Sequence, residues 1–105
     1  MSIKLLVLKS GEQVIADTKE LLSDNVVRGV LLNRPQKVRA ARPVLLVEES
    51  DSDTDVRNVE ITLSPFVLLS KDEDIVIPPE WIVTIVNPLE SLVEMYEEKL
   101  NGQGS

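Results

Sequence analysis

The sequence holds no cysteine and no histidine. Without cysteine there is neither a disulfide framework nor a thiolate zinc site, and the composition fits a reducing compartment. With both residue types missing, the commonest general base and the best nucleophile are gone, along with nearly every transition-metal ligand except carboxylate. Catalytic triads and zinc centres are excluded, and we expect neither an enzyme nor a cofactor. Aromatic residues are scarce, one each of Phe, Trp and Tyr. No apolar run approaches the ~20 residues that span a bilayer, and "MSIKLLVLKSGE" is too short and too soon interrupted for a signal peptide. We therefore expect a cytoplasmic protein that uses no membrane and no small-molecule substrate.

What is present is a core-forming composition. Of 105 residues, 43% are apolar, mostly Val, Leu and Ile, which suits one folded domain rather than a disordered chain. Charge is unbalanced, with 18 acids against 11 bases and a formal net charge of −7. A long-range field of that sign repels polyanions. Yet from Asn25 to Val47 there is no Asp or Glu, and Arg28, Arg34, Lys37, Arg39 and Arg42 all fall in that window. Such a patch can act at short range, because charges more than about 8 Å apart are largely screened at physiological salt.

The pattern along the chain has period two. "IKLLVLK" at 3–9 reads as a strand and "KSGE" as a tight turn, with Gly11 free to take a positive φ. "QVIADTKELL" places Val14, Ala16 and Thr18 on one face and Ile15, Asp17 and Lys19 on the other, and "SDN" at 23–25 is turn chemistry. An extended region from about Val26 to Leu32 is interrupted by "NRPQ" and resumes from Lys37 to Val47, with Pro35 and Pro43 marking bends or edges. After the loop "EESDSDTD", the segments "NVEITL", "FVLL", "DIVIP" and "WIVTIV" read as short strands separated by Pro65, "SKDED" and "PPE". Many short strands with closely spaced turns predict an antiparallel barrel or sandwich.

The C-terminus is helical. In "NPLESLVEMYEEKLNG", Asn87 reads as the cap, Pro88 as the first helical residue, Glu90 as the partner in a capping box, and Gly102 as the stop. Leu89, Leu92, Val93, Tyr96 and Leu100 form an apolar stripe, to be buried across an open end of the same barrel or on a neighbouring subunit. The expected organisation is one domain, residues 1–105, with a β barrel at 1–87, a helix at 88–101 and a tail at 102–105.

Two further patterns carry potential chemistry. A carboxylate dyad or carboxylate metal site could formally draw on Asp17, Glu20, Asp72, Glu73 or Asp74, but nothing marks any of them as buried and we read them as solvated loop acids. "DSDTD" sets Asp51, Asp53 and Asp55 at the alternate spacing that opens a calcium loop. However, position six is Val56 instead of Gly and position twelve is Thr62 instead of Glu, so we read a charged hairpin loop. The basic window itself has three readings: arginines balancing carboxylates across strands, arginines facing acids of another copy of the chain, or a nucleic-acid contact surface.

"LVLKSGEQVIADTKELLSDNVVRGVL" resembles the first motif of the Sm and Sm-like RNA-binding proteins. That motif is an apolar strand, a Gly turn, a second strand with a small residue five after the Gly, and then D-x-x-apolar-N-x-x-L; Gly11, Ala16, Asp24, Val27, Arg28 and Leu31 fall in that order. Nearly the whole chain is similar to small Sm-like proteins of marine phages, through "IKLLVLKSGE", "SPF" and "WIVTIVNP" leading into a helix with Tyr. The resemblance implies a small, strongly bent antiparallel Sm-like barrel that closes into a homo-oligomeric ring through edge-strand pairing and binds RNA, or single-stranded DNA, on its inner rim. Under that reading the nucleic-acid-binding residues are Asn25, Arg28, Lys37, Arg39 and Arg42. Arg28 stands where the motif has Asn, Val27 cannot stack a base, and Pro78 and Pro79 replace the Arg-Gly pair of the second motif. Binding is then expected to depend on charge and to discriminate weakly between sequences. The alternative is a structural or protein-interaction ring that has lost the RNA site.

Overall fold

The computed structural model describes residues 2–41 and 60–103. In chain order these form β1 (Ser2–Leu8), β2 (Gln13–Ser23), β3 (Val26–Ala41), β4 (Glu60–Pro65), β5 (Asp74–Ile77), β6 (Ile82–Val86) and α1 (Glu90–Gln103), with a 3-10 turn at Pro79–Trp81 between β5 and β6. The protein is mainly β with a C-terminal helix. The strands make one open antiparallel sheet in the order β4-β3-β2-β1-β6, and β5 also pairs with β3. Among the described residues no ladder joins β6 to β4 or β5, so these strands form an open sheet.

The turns follow from local backbone chemistry. Gly11 takes φ 92° between β1 and β2, and its N–H donates to the Leu8 carbonyl at 2.8 Å. Asp24 (φ 56°) and Asn25 (φ 63°) both sit in the left-handed region between β2 and β3. That is the turn whose twist matches a two-residue hairpin, and Asp and Asn tolerate it better than other side chains with a Cβ.

β3 does not break at "NRPQ" but runs through it by means of a bulge. Between the pairs Asp17↔Asn33 and Ile15↔Gln36, β2 has one residue, Ala16, while β3 has two, Arg34 and Pro35. Arg34 adopts φ 52°, and Pro35, which has no N–H to give the ladder, occupies the extra place. The two halves of β3 have different outer neighbours, residues 30–33 pairing with β5 and 36–41 with β4. A bulge bends a strand and increases its twist, so one strand can serve two partners on the same side.

The period-two pattern fills both faces of the sheet. Leu6, Leu8, Val14, Ala16, Val30, Leu32 and Ile77 form one buried cluster. Ile15 and Leu63 belong to the opposite face, where Leu92 and Tyr96 of α1 cover them. The helix thus packs on its own sheet, one of the two positions expected for its stripe. The stripe itself is corrected at Leu89, and Met95 takes the place expected of Val93. Leu89 is 61% exposed and precedes the helix, which starts at Glu90, and its carbonyl accepts the N–H groups of Leu92 and Val93 at 3.0 and 3.1 Å. The inward face is Leu92, Met95, Tyr96 and Leu100. Asn87 does not cap with its side chain, whose Oδ1 accepts a hydrogen bond from Lys4 Nζ at 2.5 Å, and Gly102 lies inside the last turn rather than beyond it.

"FVLL" is not a strand. Phe66–Leu69 form bends and a turn, with Ser70 N–H reaching the Val67 carbonyl at 3.4 Å. The expected continuation of the third strand to Val47, the "EESDSDTD" loop and the beginning of "NVEITL" lie outside the described residues.

Candidate nucleic-acid interface

The β2–β3 hairpin presents Asn25 and Arg28. Asn25 is exposed at the tip. Arg28 is exposed where the register shifts between Leu21↔Gly29 and Leu22↔Val27, so it occupies an additional place in β3. Gly29 follows because space is short there: a Cβ at this position would lie 3.0 Å from Cγ1 of Val76 on β5. Leu22 and Val26, 62% and 48% exposed, give the hairpin end an apolar shoulder beside its cation.

Lys37 and Arg39 lie beyond the bulge. They are nine residues or more from Arg28 along β3, roughly 30 Å of extended chain. Lys37 is half-buried and its Nζ pairs with Glu12 Oε2 at 3.1 Å. The contact follows from register, since Lys37 stands opposite Val14 and Glu12 lies two residues before it on the same chain segment. The Lys37 hydrogen bond, helped by one from Ser10, holds the Glu12 carboxyl below its usual pKa. Arg39 is exposed, opposite Thr62 of β4. Arg42 lies outside the described residues. The structure therefore brings Asn25 together with Arg28, and Lys37 with Arg39, but separates the two pairs within one chain. Arg34, the fifth base of the window, is engaged by Glu73, with Nε–Oε1 3.8 Å.

At the bulge the sheet forms a feature that the sequence did not signal. A half-open cleft of about 260 Å³ has Gln36, Pro35, Pro65 and Phe66 among its lining residues. Gln36 is 4% exposed, and its Oε1 is buried with no hydrogen-bond partner among the described residues. The rim carries Arg34 and Lys71 against Asp72 and Glu73, a balanced set that favours no ligand charge. "RPQ" and "SPF" meet there through the register of β3 and β4, in which Gln36 pairs with Pro65, and neither stretch alone reveals it.

The acids considered for a carboxylate site do not act together: Asp72, Glu73 and Asp74 are exposed neighbours, and Asp17, whose Oδ1 is buried without a partner among the described residues, lies across Asn33 from Asp74. Asp74 Oδ1 accepts a hydrogen bond from Asn33 Nδ2 at 2.7 Å, and Glu73 is the partner of Arg34. Among the described residues no three His, Cys, Asp or Glu side chains converge as a metal site would require. No helix of the described residues is long and apolar enough to cross a membrane.

The geometry defines a small open antiparallel sheet, its register broken at three places, with one helix packed against it and one cation, Arg28, displayed near Asp24 at a hairpin end. The chain belongs to the family of unknown function DUF6561, whose model matches residues 1–101. Comparison with curated proteins finds no significant match.

Proposed function

We propose that the chain is a non-enzymatic, Sm-like protein of the cytoplasm that assembles as a homo-oligomeric ring and binds single-stranded nucleic acid, RNA foremost. The observation that carries this reading is a pair of free apolar strand edges at opposite ends of the sheet. Among the described residues β6, "IVTIV", pairs with β1 alone, and Val83, Ile85 and Val86 are 63%, 39% and 43% exposed. β5, "DIVI", pairs with β3 and leaves Val76 54% exposed. Unpaired edges of this kind invite strand addition unless charge, Pro or a cover blocks them. Joining the β5 edge of one copy to the β6 edge of the next is a head-to-tail contact, which closes as a ring when the rotation permits. β4 is the poorer edge for this purpose, because its exposed positions are Glu60 and Thr62.

A ring turns one weak cationic hairpin into several held side by side, which multiplies avidity without new contacts. Asn25 and Arg28, with Arg39, are the binding residues under this reading. The three breaks in register support the strongly bent Sm-like barrel, since bulges supply the curvature it needs. The second reading, an assembly module without a nucleic-acid site, is favoured by one observation: Lys37 is already held by Glu12.

Light scattering coupled to size exclusion should give a mass several times 11.7 kDa. A Val83→Lys variant, which places a charge on the free edge, should fall to the monomer mass without loss of secondary structure. Fluorescence anisotropy with labelled oligo-U and oligo-dT should detect binding at low salt. An assembled protein that binds neither supports the second reading, and a monomeric wild type removes the ring.

A further inference from the structure

The β4–β5 loop exposes three consecutive apolar side chains, Val67, Leu68 and Leu69, at 42%, 73% and 96%. The loop is not loosely strung: Phe66 N–H donates to the Pro35 carbonyl at 3.2 Å, and Arg34 N–H to the Glu73 carbonyl at 2.5 Å, so both ends are tied to the bulge. A second apolar pair is equally unpartnered elsewhere. Val86 closes β6 at 43% exposure, and Leu89 stands at the start of α1 at 61%, while Leu92 and Tyr96 on that helix are buried. Contiguous apolar exposure of this kind marks contact surfaces rather than ordinary solvent faces.

We infer that Leu68 and Leu69 seat on Val86 and Leu89 of a second copy of this chain, so that the β4–β5 loop is a latch in the subunit contact. The inference rests on the edge-pairing reading and adds the direction of the join. Every strand contact in the sheet is antiparallel, and antiparallel ladders are slightly more stable per residue than parallel ones. When β5 (Asp74–Ile77) runs antiparallel beside β6 (Ile82–Val86) of the next copy, residues before β5 meet residues after β6. The loop therefore reaches Val86, Asn87 and Leu89, and both unexplained apolar sets are covered by one contact. The strand lengths agree, four residues against five.

The polar rim agrees as well. Lys4 lies at the same end of β6, with Nζ on Asn87 Oδ1, and Glu90 opens the helix beside it. Lys71 and Asp72 follow the apolar triplet in the loop, while Glu73 and Asp74 beyond them are engaged by Arg34 and Asn33 of their own chain, so Lys71 and Asp72 are left to face the neighbour's Glu90 and Lys4.

Because the chain has no cysteine, the contact can be read by engineered cross-linking. A disulfide forms only where Cα atoms come within about 7 Å. The double variant Leu69→Cys with Leu89→Cys replaces two exposed side chains, and mild oxidation should convert it into a ladder of covalent multimers, whereas mixing the two single variants should stop at dimers. Leu68→Ser with Leu69→Ser should reduce the assembled mass while leaving the circular dichroism of the chain unchanged. Cross-linking by Leu69→Cys with Trp81→Cys instead would mean a parallel join and would overturn the proposal. So would an unchanged mass in the double serine variant when Val83→Lys dissociates the protein, a result that leaves the edge-pairing reading standing. An unchanged mass in Val83→Lys removes that reading itself.

Discussion

Arg34 takes a left-handed backbone conformation, φ 52°, that costs a residue with a Cβ roughly 1–2 kcal/mol, so something outside it must hold it there. Two contacts do so. Its N–H is bound by the Glu73 carbonyl, and its own carbonyl, with that of Asn33, accepts the Tyr96 hydroxyl at 3.0 and 2.9 Å. The phenol of α1 thus clamps the bulge that divides β3 between its two outer partners. Burial raises the Tyr96 pKa above its ordinary value of 10, while the backbone N–H of Asp17 pulls the other way. A raised folded-state value stabilises the neutral phenol, so this contribution is complete below about pH 10 and is lost as pH rises through the folded pKa. Tyr96→Phe should therefore lower stability by about 1–2 kcal/mol at neutral pH, since two partly buried carbonyls lose the donor they share. It should also flatten the alkaline limb of the stability profile. Chemical denaturation at pH 8 and above pH 10 measures both; an equal gap between variant and wild type at the two pH values would show that the hydroxyl is not buried as described. The lowered Glu12 pKa works in the opposite window, its stabilisation being lost as pH falls through the folded value. As a surface pair with Lys37 it is worth only a few tenths of a kcal/mol to about 1.

Among the elements, α1 has the largest leverage. Its Leu92 and Tyr96 are the cover over Ile15 and Leu63, and burying two such side chains contributes on the order of 3–6 kcal/mol before entropy is counted. That is comparable with the whole stability of a typical small domain, ~5–15 kcal/mol. Deleting residues 89–105 should abolish cooperative unfolding or reduce the melting temperature steeply, and Leu92→Ala should cost about 2–3 kcal/mol. A truncated chain that melts like the full one would mean the helix is not packed. The elements also separate what the sequence could reveal from what it could not. Gly11 and "SDN" are legible because turn geometry is local, and the alternation of Val14, Ile15 and Ala16 over two clusters is legible because side chains in a strand alternate faces. The bulge at Arg34 was hidden because Arg carries no preference for positive φ, and Pro35 alone suggested a break where the ladder in fact resumes at Gln36. "FVLL" is apolar enough for a strand, yet it forms bends and a turn. Leu89 fits the helical spacing by arithmetic yet falls one residue before the helix.

For the whole molecule the question is what an acid-free window does in a chain of net charge −7. Charge was readable from the sequence, but position was not: the pairing of Lys37 with Glu12 depends on two strands whose register is set far apart in sequence. Asn25 and Arg28 end near the hairpin tip, beside Asp24, and Arg39 lies toward the far end of β3, so one subunit alone offers two single arginines far apart. Only repetition around an assembly would make them a band. Each phosphate neutralised on a single strand lowers the log of affinity by about 0.7 per log unit of salt. A ring engaging several Arg28 side chains at once should give a log-log slope of several units, and Val83→Lys, if monomeric, should flatten it toward the value for one or two phosphates. Arg28→Glu with Arg39→Glu alters two exposed side chains, so it should abolish binding while mass and melting temperature stay near wild type. Anisotropy titrations over a range of salt, run beside light scattering, separate the outcomes. If the double reversal breaks the oligomer, these arginines belong to the subunit contact. If binding survives it with the same slope, the cations that matter lie elsewhere on the chain.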